Sequence, residues 1–192
     1  MAETPSTMLP LGTRMPGFFL TDVVSGRIVT DADFADRKAL LVVFLSNHCP
    51  FVRHILPEIW RIGRDYVPRG VGMLAINAND IARYPDDAPA HMKELARREG
   101  WEFPFLFDDT QEVAKAFRAA CTPDFFLFDA GRELVYRGQL DASRPGRGEP
   151  TGRDLRAALD AALEGLPVPR HQVPSVGCNI KWKPGNEPAY FG

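Results

Sequence analysis

The segment that most constrains the fold runs from Leu40 to Glu58, LLVVFLSNHCPFVRHILPE. It begins with a continuous apolar run, Leu40 to Leu45, which is typical of a strand covered on both faces. The polar residues Ser46 to His48 then favour a turn. Pro50 suits the first position of a helix, because the N–H that proline lacks would have no partner there. The segment therefore predicts a buried strand, a turn that ends at Cys49, and a helix from Pro50.

The predicted helix carries apolar residues at helical spacing: Val52, Ile55, Leu56, Ile59 and Ile62. Pro57 lies within this helix. Because a proline inside a helix costs about 3 kcal/mol and kinks it, we expect the position to have a structural reason.

Cys49 is placed by this prediction at the N-terminus of a helix, where N–H groups and the helix dipole favour an anion. Arg53 lies one helical turn further on the same face, and His48 is adjacent in sequence. Positive charge on either side chain would also stabilise a thiolate. The sequence therefore predicts that Cys49 is a nucleophile whose pKa lies below the ordinary thiol value of about 8.5. A buried and inert cysteine is the alternative.

Composition and charge narrow the function classes. The 192 residues carry a net charge of −2, which disfavours a general nucleic-acid binder and a basic membrane-surface protein. No apolar run approaches the roughly 18 residues of a membrane-spanning helix, and the N-terminus lacks the basic and apolar regions of a signal peptide. We therefore expect a cytoplasmic protein, in which three cysteines are typical of catalytic thiols rather than of a disulfide framework.

Strand and helix signals alternate through the rest of the chain. The predicted strands are Phe18 to Leu20 and Arg27 to Thr30 (a hairpin), Val71 to Asn77, Phe103 to Phe107, Phe125 to Asp129 and Leu134 to Arg137, and the predicted helices are Ala88 to Gly100 and Arg153 to Leu163. Pro104 favours an edge position for the strand that contains it. The alternation predicts an α/β fold with a mixed sheet.

The two ends of the chain differ from this central region. We expect residues 1–16 to form an extended arm, residues 17–164 to form one domain and residues 165–192 to form a tail. The tail carries five prolines and no helical periodicity. It also contains Val176, Ile180 and Trp182, and such apolar residues predict that the tail docks on the domain.

With this order of elements, the chain resembles the thioredoxin-fold superfamily, in its peroxiredoxin-like (AhpC/TSA, redoxin) branch. The resemblance covers roughly Gly17 to Leu163. Cys49 matches the cysteine of that fold's strand–cysteine–helix unit, and Pro57 matches its kinking proline. Thr122-Pro123 matches the cis-proline loop that faces the active cysteine, and Asn79 to Asp108 matches the helix–strand insertion of the redoxin branch.

More narrowly, SNHCPFVRH and the tail PSVGCNIKWKPGNEP look like the corresponding segments of a subgroup of thioredoxin-like proteins. The resemblance implies a thioredoxin-like fold with a mixed central sheet and flanking helices. It also implies an N-terminal hairpin, a helix–strand insertion and an extended C-terminal tail.

The chemistry implied by the resemblance is thiol-dependent redox chemistry without an organic cofactor. Val52 occupies the second position of the Cys-x-x-Cys motif, so two cysteines on one helical turn are excluded. Ser46 fills the hydroxyl position of the peroxiredoxin motif, whereas Val42 stands at its proline position. Arg53 and Arg137 are both candidates for the guanidinium that peroxide reduction requires.

A sulfenic acid on Cys49 would need a second thiol to resolve it. Cys121 lies two residues before Pro123, in the loop that the thioredoxin fold places against the active cysteine. Cys178 lies in the tail, and a resolving role would explain why the tail is apolar and carries a cysteine. We favour Cys178 slightly, while a structural role remains an even alternative for each cysteine.

The leading hypothesis is a peroxiredoxin-like thiol oxidoreductase in which Cys49 attacks a peroxide or disulfide substrate and an external thiol restores it. One alternative is a non-catalytic, redox-responsive binding module of the same fold. Another is a copper- or zinc-binding protein, with ligands from His48, His54, His171 and Cys178. We expect neither a nucleic-acid nor a membrane partner, and homo-oligomer formation is left open.

Overall fold

The computed structural model describes residues 3–191, so that residues 1, 2 and 192, at the ends of the predicted arm and tail, lie outside the described residues. The strands are β1 (Glu3–Pro5), β2 (Phe19–Asp22), β3 (Ile28–Thr30), β4 (Ala39–Phe44), β5 (Val71–Asn77), β6 (Phe105–Phe107), β7 (Cys121–Thr122), β8 (Asp124–Phe128), β9 (Leu134–Tyr136) and β10 (Val176–Asn179). The helices are α1 (Pro50–Tyr66), α2 (Pro89–Glu99), α3 (Glu112–Ala116) and α4 (Arg153–Glu164). Short 3₁₀ turns cover Asp31–Phe34, Val67–Arg69 and Pro85–Asp87.

The main sheet contains seven strands in the order β3-β2-β6-β5-β4-β8-β9. Strands β4, β5 and β6 run parallel to one another, while β2, β3, β8 and β9 pair in antiparallel fashion. This mixed sheet with flanking helices, and the β2–β3 hairpin at its edge, confirm the predicted α/β fold class.

Strand β4 lies at the centre of the sheet and is fully buried, as its apolar run predicts. Because side chains alternate along a strand, its residues serve two cores. Leu41 and Val43 face the core that contains apolar residues of α1, α2 and α4. Val42 faces a second core on the opposite side of the sheet. This core includes Phe117 and the tail residue Trp182.

A second, small sheet joins the two ends of the chain to the domain. Strand β10 lies between β1 and β7 and pairs with both in antiparallel fashion. Further along the tail, the Ile180 N–H donates to the Ala120 carbonyl at 3.0 Å. Strand β10 of the tail therefore borders the segment that precedes Pro123, and β1 lies on the other side of β10.

The edge position predicted from Pro104 is wrong. Strand β6 lies inside the main sheet, between β2 and β5. Pro104 immediately precedes the strand, so its missing N–H removes no bond from the strand pairing. Its carbonyl accepts a hydrogen bond from the Ala75 N–H at 2.9 Å.

No helix within residues 3–191 is both long and apolar enough to cross a membrane.

Candidate active site

Cys49 ends the turn after β4 and is the residue that immediately precedes α1. Its backbone is extended, with φ −71° and ψ 122°, and Pro50 occupies the first helical position. The Cys49 carbonyl accepts a hydrogen bond from the Arg53 N–H at 3.0 Å, which begins the hydrogen-bond pattern of the helix. The strand–turn–helix prediction is thus confirmed, and it places the thiol beside the N–H groups of the first turn.

The Cys49 sulfur lies in a closed environment made by the tail and by β7. Its exposed fraction is 0%. The Cys178 sulfur is 2.8 Å away, and the Cys49 thiol donates to the Thr122 carbonyl oxygen at 3.0 Å. Because a disulfide bond measures about 2.05 Å, the two sulfurs need to approach by less than about 1 Å to bond.

The position of Cys178 follows from the pairing of β10 with β7. Cys178 lies opposite Thr122, and Gly177 precedes it. A Cβ atom at Gly177 would clash with the Thr122 carbonyl group. Glycine therefore permits the close approach of the two backbones that brings the Cys178 sulfur to Cys49.

Cys121 is as deeply buried as Cys49 but faces elsewhere. It lies opposite Asn179, one residue along from the Cys178–Thr122 pair, so its side chain projects to the other face of the small sheet. Its sulfur contacts the carbonyl oxygens of Pro123 at 3.5 Å and Ser175 at 4.0 Å.

The three thiols differ in acidity for identifiable reasons. The hydrogen bond with Cys178 is the main cause that lowers the pKa of Cys49 to about 6; burial opposes it, and the backbone N–H of Val52 lowers the pKa further. The same hydrogen bond, followed by burial, raises the pKa of Cys178. Burial raises the pKa of Cys121 well above its ordinary value. Negative charge therefore concentrates on Cys49, in the direction that the helix start predicts.

A buried carboxylate organises the turn before Cys49. Asp87 accepts hydrogen bonds from the Asn47 N–H at 2.6 Å and from the Ser46 hydroxyl at 3.1 Å. Its Oδ2 atom lies 2.7 Å from Nδ1 of His48, whose ring stacks on Tyr84. Burial raises the pKa of the Asp87 carboxyl, but the contacts with His48, Asn79 and the Asn47 N–H lower it by more, so the net pKa lies below the ordinary value.

Asp87 was not among the site residues predicted from the sequence. A signal was available, because β4 and β5 are parallel neighbours and the segments after their carboxyl ends meet at one edge of the sheet. Ser46 follows β4, and the Pro85–Asp87 turn follows β5. An acidic residue in the second segment is therefore within reach of the turn.

The remaining predicted site residues lie in different places. Ser46 points into the Asp87 cluster. The Arg53 side chain is exposed, and its Nε donates to the Asn47 carbonyl at 3.0 Å. Arg137 follows β9 and binds the Gln172 side chain at 3.0 Å.

Pro123 immediately follows β7, the strand that pairs with β10. The Thr122–Pro123 peptide bond is cis, as the resemblance predicts. The Pro123 carbonyl accepts a hydrogen bond from the Ser175 hydroxyl at 2.7 Å. The structure thus brings Cys49, Cys178 and Pro123 together.

The histidines proposed as metal ligands are engaged separately. His48 binds Asp87, while Nε2 of His54 lies 3.1 Å from the Ser143 hydroxyl. His171 is exposed in the tail. Within residues 3–191, no group of three or more His, Cys, Asp or Glu side chains is placed to hold a metal ion.

Comparisons with known proteins place this geometry in context. The Redoxin family model matches residues 10–158. The thiol-disulfide oxidoreductase ResA of Geobacillus kaustophilus (strain HTA426) is 25% identical over 131 residues, which make up 68% of this chain and 70% of that protein.

Two solved structures are similar in fold to this chain. An uncharacterized conserved protein from Geobacillus kaustophilus is 53% identical, with a TM-score of 0.94 over 96% of this chain and 98% of that one. The thioredoxin domain of a thiol-disulfide oxidoreductase from Bacteroides vulgatus is 18% identical, with a TM-score of 0.57 over 72% of this chain and 92% of that one. The second likeness confirms the thioredoxin-like fold.

Proposed function

The chain belongs to the Redoxin family and is a thiol oxidoreductase, and from this premise we propose that Cys49 and Cys178 are its redox pair, with a small peroxide as the oxidant. The observation that carries the proposal is the distance of 2.8 Å between the two sulfurs. The acidity of the two thiols supports it, since Cys49 carries the lowered pKa and Cys178 retains its proton.

The reaction proceeds in three balanced steps. The Cys49 thiolate attacks one oxygen of hydrogen peroxide, forms a sulfenic acid and releases hydroxide, which takes up a proton to become water. The Cys178 thiol then attacks the sulfenic sulfur, which forms the disulfide and releases a second water. Two equivalents of an external thiol reduce the disulfide and are themselves oxidised to a disulfide.

Burial favours a small oxidant over a bulky one. The exposed fractions are 0% for Cys49 and 2% for Cys178. A disulfide in another protein would have to reach the Cys49 sulfur through the residues that cover it, whereas hydrogen peroxide is close to water in size. The ResA relative is named for thiol–disulfide chemistry, so exchange with a disulfide substrate is the second candidate.

Each remaining site residue receives a role in this proposal. The Val52 N–H stabilises the Cys49 thiolate. The Pro123 carbonyl binds the Ser175 hydroxyl and so holds the segment that precedes β10. Arg53 is the better guanidinium candidate because it contacts the turn, whereas Arg137 binds Gln172. Ser46 holds the turn by its bond to Asp87 instead of binding the peroxide.

Stoichiometric oxidation followed by disulfide mapping tests the proposal. One equivalent of hydrogen peroxide added to the reduced protein should yield a Cys49–Cys178 disulfide within minutes, and Cys49→Ser should yield none. A parallel reaction with glutathione disulfide separates the two candidates. Unmodified Cys49 after peroxide treatment, together with a disulfide formed from glutathione disulfide, contradicts the peroxidase and supports exchange.

Turnover separates an enzyme from a binding module. With excess dithiothreitol, the proposed enzyme should consume many equivalents of peroxide per protein. A redox-responsive binding module of the same fold would be oxidised once without sustained consumption. The use of an external thiol reductant and the cytoplasmic location stay predictions.

A further inference from the structure

One buried carboxylate, that of Asp87, links the turn that precedes Cys49 to the tail that carries Cys178 by way of Asn79. Asp87 has an exposed fraction of 0% and accepts the Asn47 N–H, as described above. Its Oδ2 atom also accepts a hydrogen bond from Nδ2 of Asn79 at 2.7 Å. This second contact connects Asp87 to a residue outside the turn.

Asn79 continues the connection to the tail. Its Oδ1 atom accepts a hydrogen bond from the Lys181 N–H at 2.8 Å, and the adjacent Asp80 N–H donates to the Lys181 carbonyl at 2.8 Å. Lys181 lies three residues beyond Cys178 in the same extended tail. A hydrogen-bonded path of two buried side chains thus links the nucleophile turn to the tail.

We propose that Asp87 is a positioning residue that, through Asn79, fixes the Cys178 tail relative to the Cys49 turn and so sets how readily the two sulfurs form a disulfide. The inference rests on the proposed Cys49–Cys178 pair. Neither Asp87 nor Asn79 contacts a sulfur directly. Their effect is on the effective concentration of one thiol at the other, a quantity that falls steeply with small misplacements.

The tail has other anchors, which makes the inference testable without loss of the fold. Strand β10 keeps its pairing with β7, and the Lys183 N–H donates to the Gln111 side chain at 2.8 Å. Removal of the Asn79 link should therefore leave the tail docked while loosening the placement of Cys178.

The test measures the equilibrium between the dithiol protein with glutathione disulfide and the disulfide protein with two glutathione molecules. We expect Asp87→Asn and Asn79→Ala each to lower this equilibrium constant on the order of 10-fold, which corresponds to a reduction potential less negative by about 30 mV. Asp86→Asn is the matched control, because Asp86 is the exposed neighbour and undergoes the same chemical change. Its potential should stay at the wild-type value.

The potential distinguishes positioning from a purely structural role. Substitution of a residue that only stabilises the fold would destabilise the dithiol and disulfide forms equally and leave the potential unchanged. In a Cys178→Ser background, Asn79→Ala should leave the alkylation rate of Cys49 unchanged, because Asp87 still holds the turn. The double variant Asp87→Asn/Asn79→Ala should match the larger single effect, since both changes break one path.

The outcomes separate this inference from the proposed function. If the wild-type protein forms no Cys49–Cys178 disulfide, both are overturned. If the wild-type protein forms the disulfide and both folded variants keep its potential, the inference alone is overturned. If Asp87→Asn does not fold, the Asn79→Ala potential decides, because that variant retains the carboxylate and its contacts with the turn.

Discussion

Strands β7 and β10 are neighbours in the small sheet, and each carries a buried cysteine. Cys178 of β10 places its sulfur 2.8 Å from that of Cys49. Cys121 of β7 contacts only carbonyl oxygens among the sulfur contacts of the described residues. Both cysteines are buried, with exposed fractions of 2% for Cys178 and 0% for Cys121, so burial does not select the partner of Cys49.

The register of the strand pair makes the selection. Opposite residues of an antiparallel pair project to the same face, so Cys178 shares a face with Thr122, whose carbonyl also contacts Cys49. Cys121 is one residue before Thr122 and projects to the other face. A shift of one residue in β10 would turn Cys178 to the face on which Cys121 lies. The register of the tail therefore determines whether Cys178 faces Cys49.

The largest expected effect is that of removing the Cys178 thiol, compared with removing the Cys121 thiol. Cys178→Ser should reduce steady-state peroxide consumption on the order of 100-fold, because an intramolecular resolving thiol is replaced by a bimolecular reaction. Cys121→Ser should change it by less than about twofold, since Cys121 faces away from Cys49. The measurement is peroxide loss with dithiothreitol as reductant.

A trapping reagent checks the same variants at the level of one turnover. Cys178→Ser should accumulate a sulfenic acid on Cys49 that dimedone labels, and Cys121→Ser should not. Equal activity in Cys178→Ser and wild type, or a strong loss in Cys121→Ser, would reverse the assignment of the two cysteines.

The next effect concerns the contact that brings β10 to β7. Gly177→Ala introduces a Cβ atom against the Thr122 carbonyl group, so we expect a loss of about 1–3 kcal/mol in the free energy of unfolding, as for other overpacked sites. Gly17→Ala is the matched control, because its new atom would only touch the Asp31 side chain at 3.7 Å. Denaturant unfolding of the reduced proteins provides the measurement, and equal losses in the two variants would refute the close approach.

Much of the nucleophile site could be predicted from local sequence. The apolar run that forms β4, the polar turn and Pro50 together fix the position of Cys49, because each is a local preference that the fold respects. The cis peptide at Pro123 also follows from the resemblance. These features need no knowledge of distant contacts.

The pairing of β10 could not be predicted in the same way. The tail has apolar residues but neither helical spacing nor a turn signal that sets its register, so Cys121 and Cys178 stayed near-equal candidates. Asp87 was missed for a related reason. Its role depends on the parallel pairing of β4 with β5 and on the contact of Asn79 with Lys181, and both join segments far apart in sequence.

A third and smaller expected effect is on the pH dependence of Cys49 alkylation, which should respond to Cys178 and not to Cys121. Because the pKa of Cys49 is lowered to about 6, mainly by Cys178, its alkylation rate should be nearly constant above pH 7 and fall tenfold per unit below pH 6. Cys178→Ala, which removes the donor altogether, should move the midpoint to higher pH by about one unit, equal to about 1.4 kcal/mol. Cys121→Ser should leave it in place.

The alkylation rate falls at low pH because the thiolate is the reactive form of Cys49. A lowered pKa keeps Cys49 reactive at neutral pH, and protonation removes that reactivity as the pH falls. Alkylation with iodoacetamide, followed by mass spectrometry of the Cys49 peptide, measures the profile. A wild-type midpoint at or above 8.5 would contradict the proposed hydrogen bond between the two thiols.

The smallest expected effects come from the two arginines, and they show whether groups outside β7 and β10 contribute to the chemistry. Arg53→Ala removes the hydrogen bond to the Asn47 carbonyl, and at about 1 kcal/mol for such a bond we expect the rate of Cys49 oxidation to fall about fivefold. Arg137→Ala should change it by less than about twofold, because Arg137 binds Gln172. Stopped-flow oxidation measures both rates, and Arg53→Lys separates charge from the hydrogen bond. A larger loss for Arg137→Ala than for Arg53→Ala would exchange the two assignments.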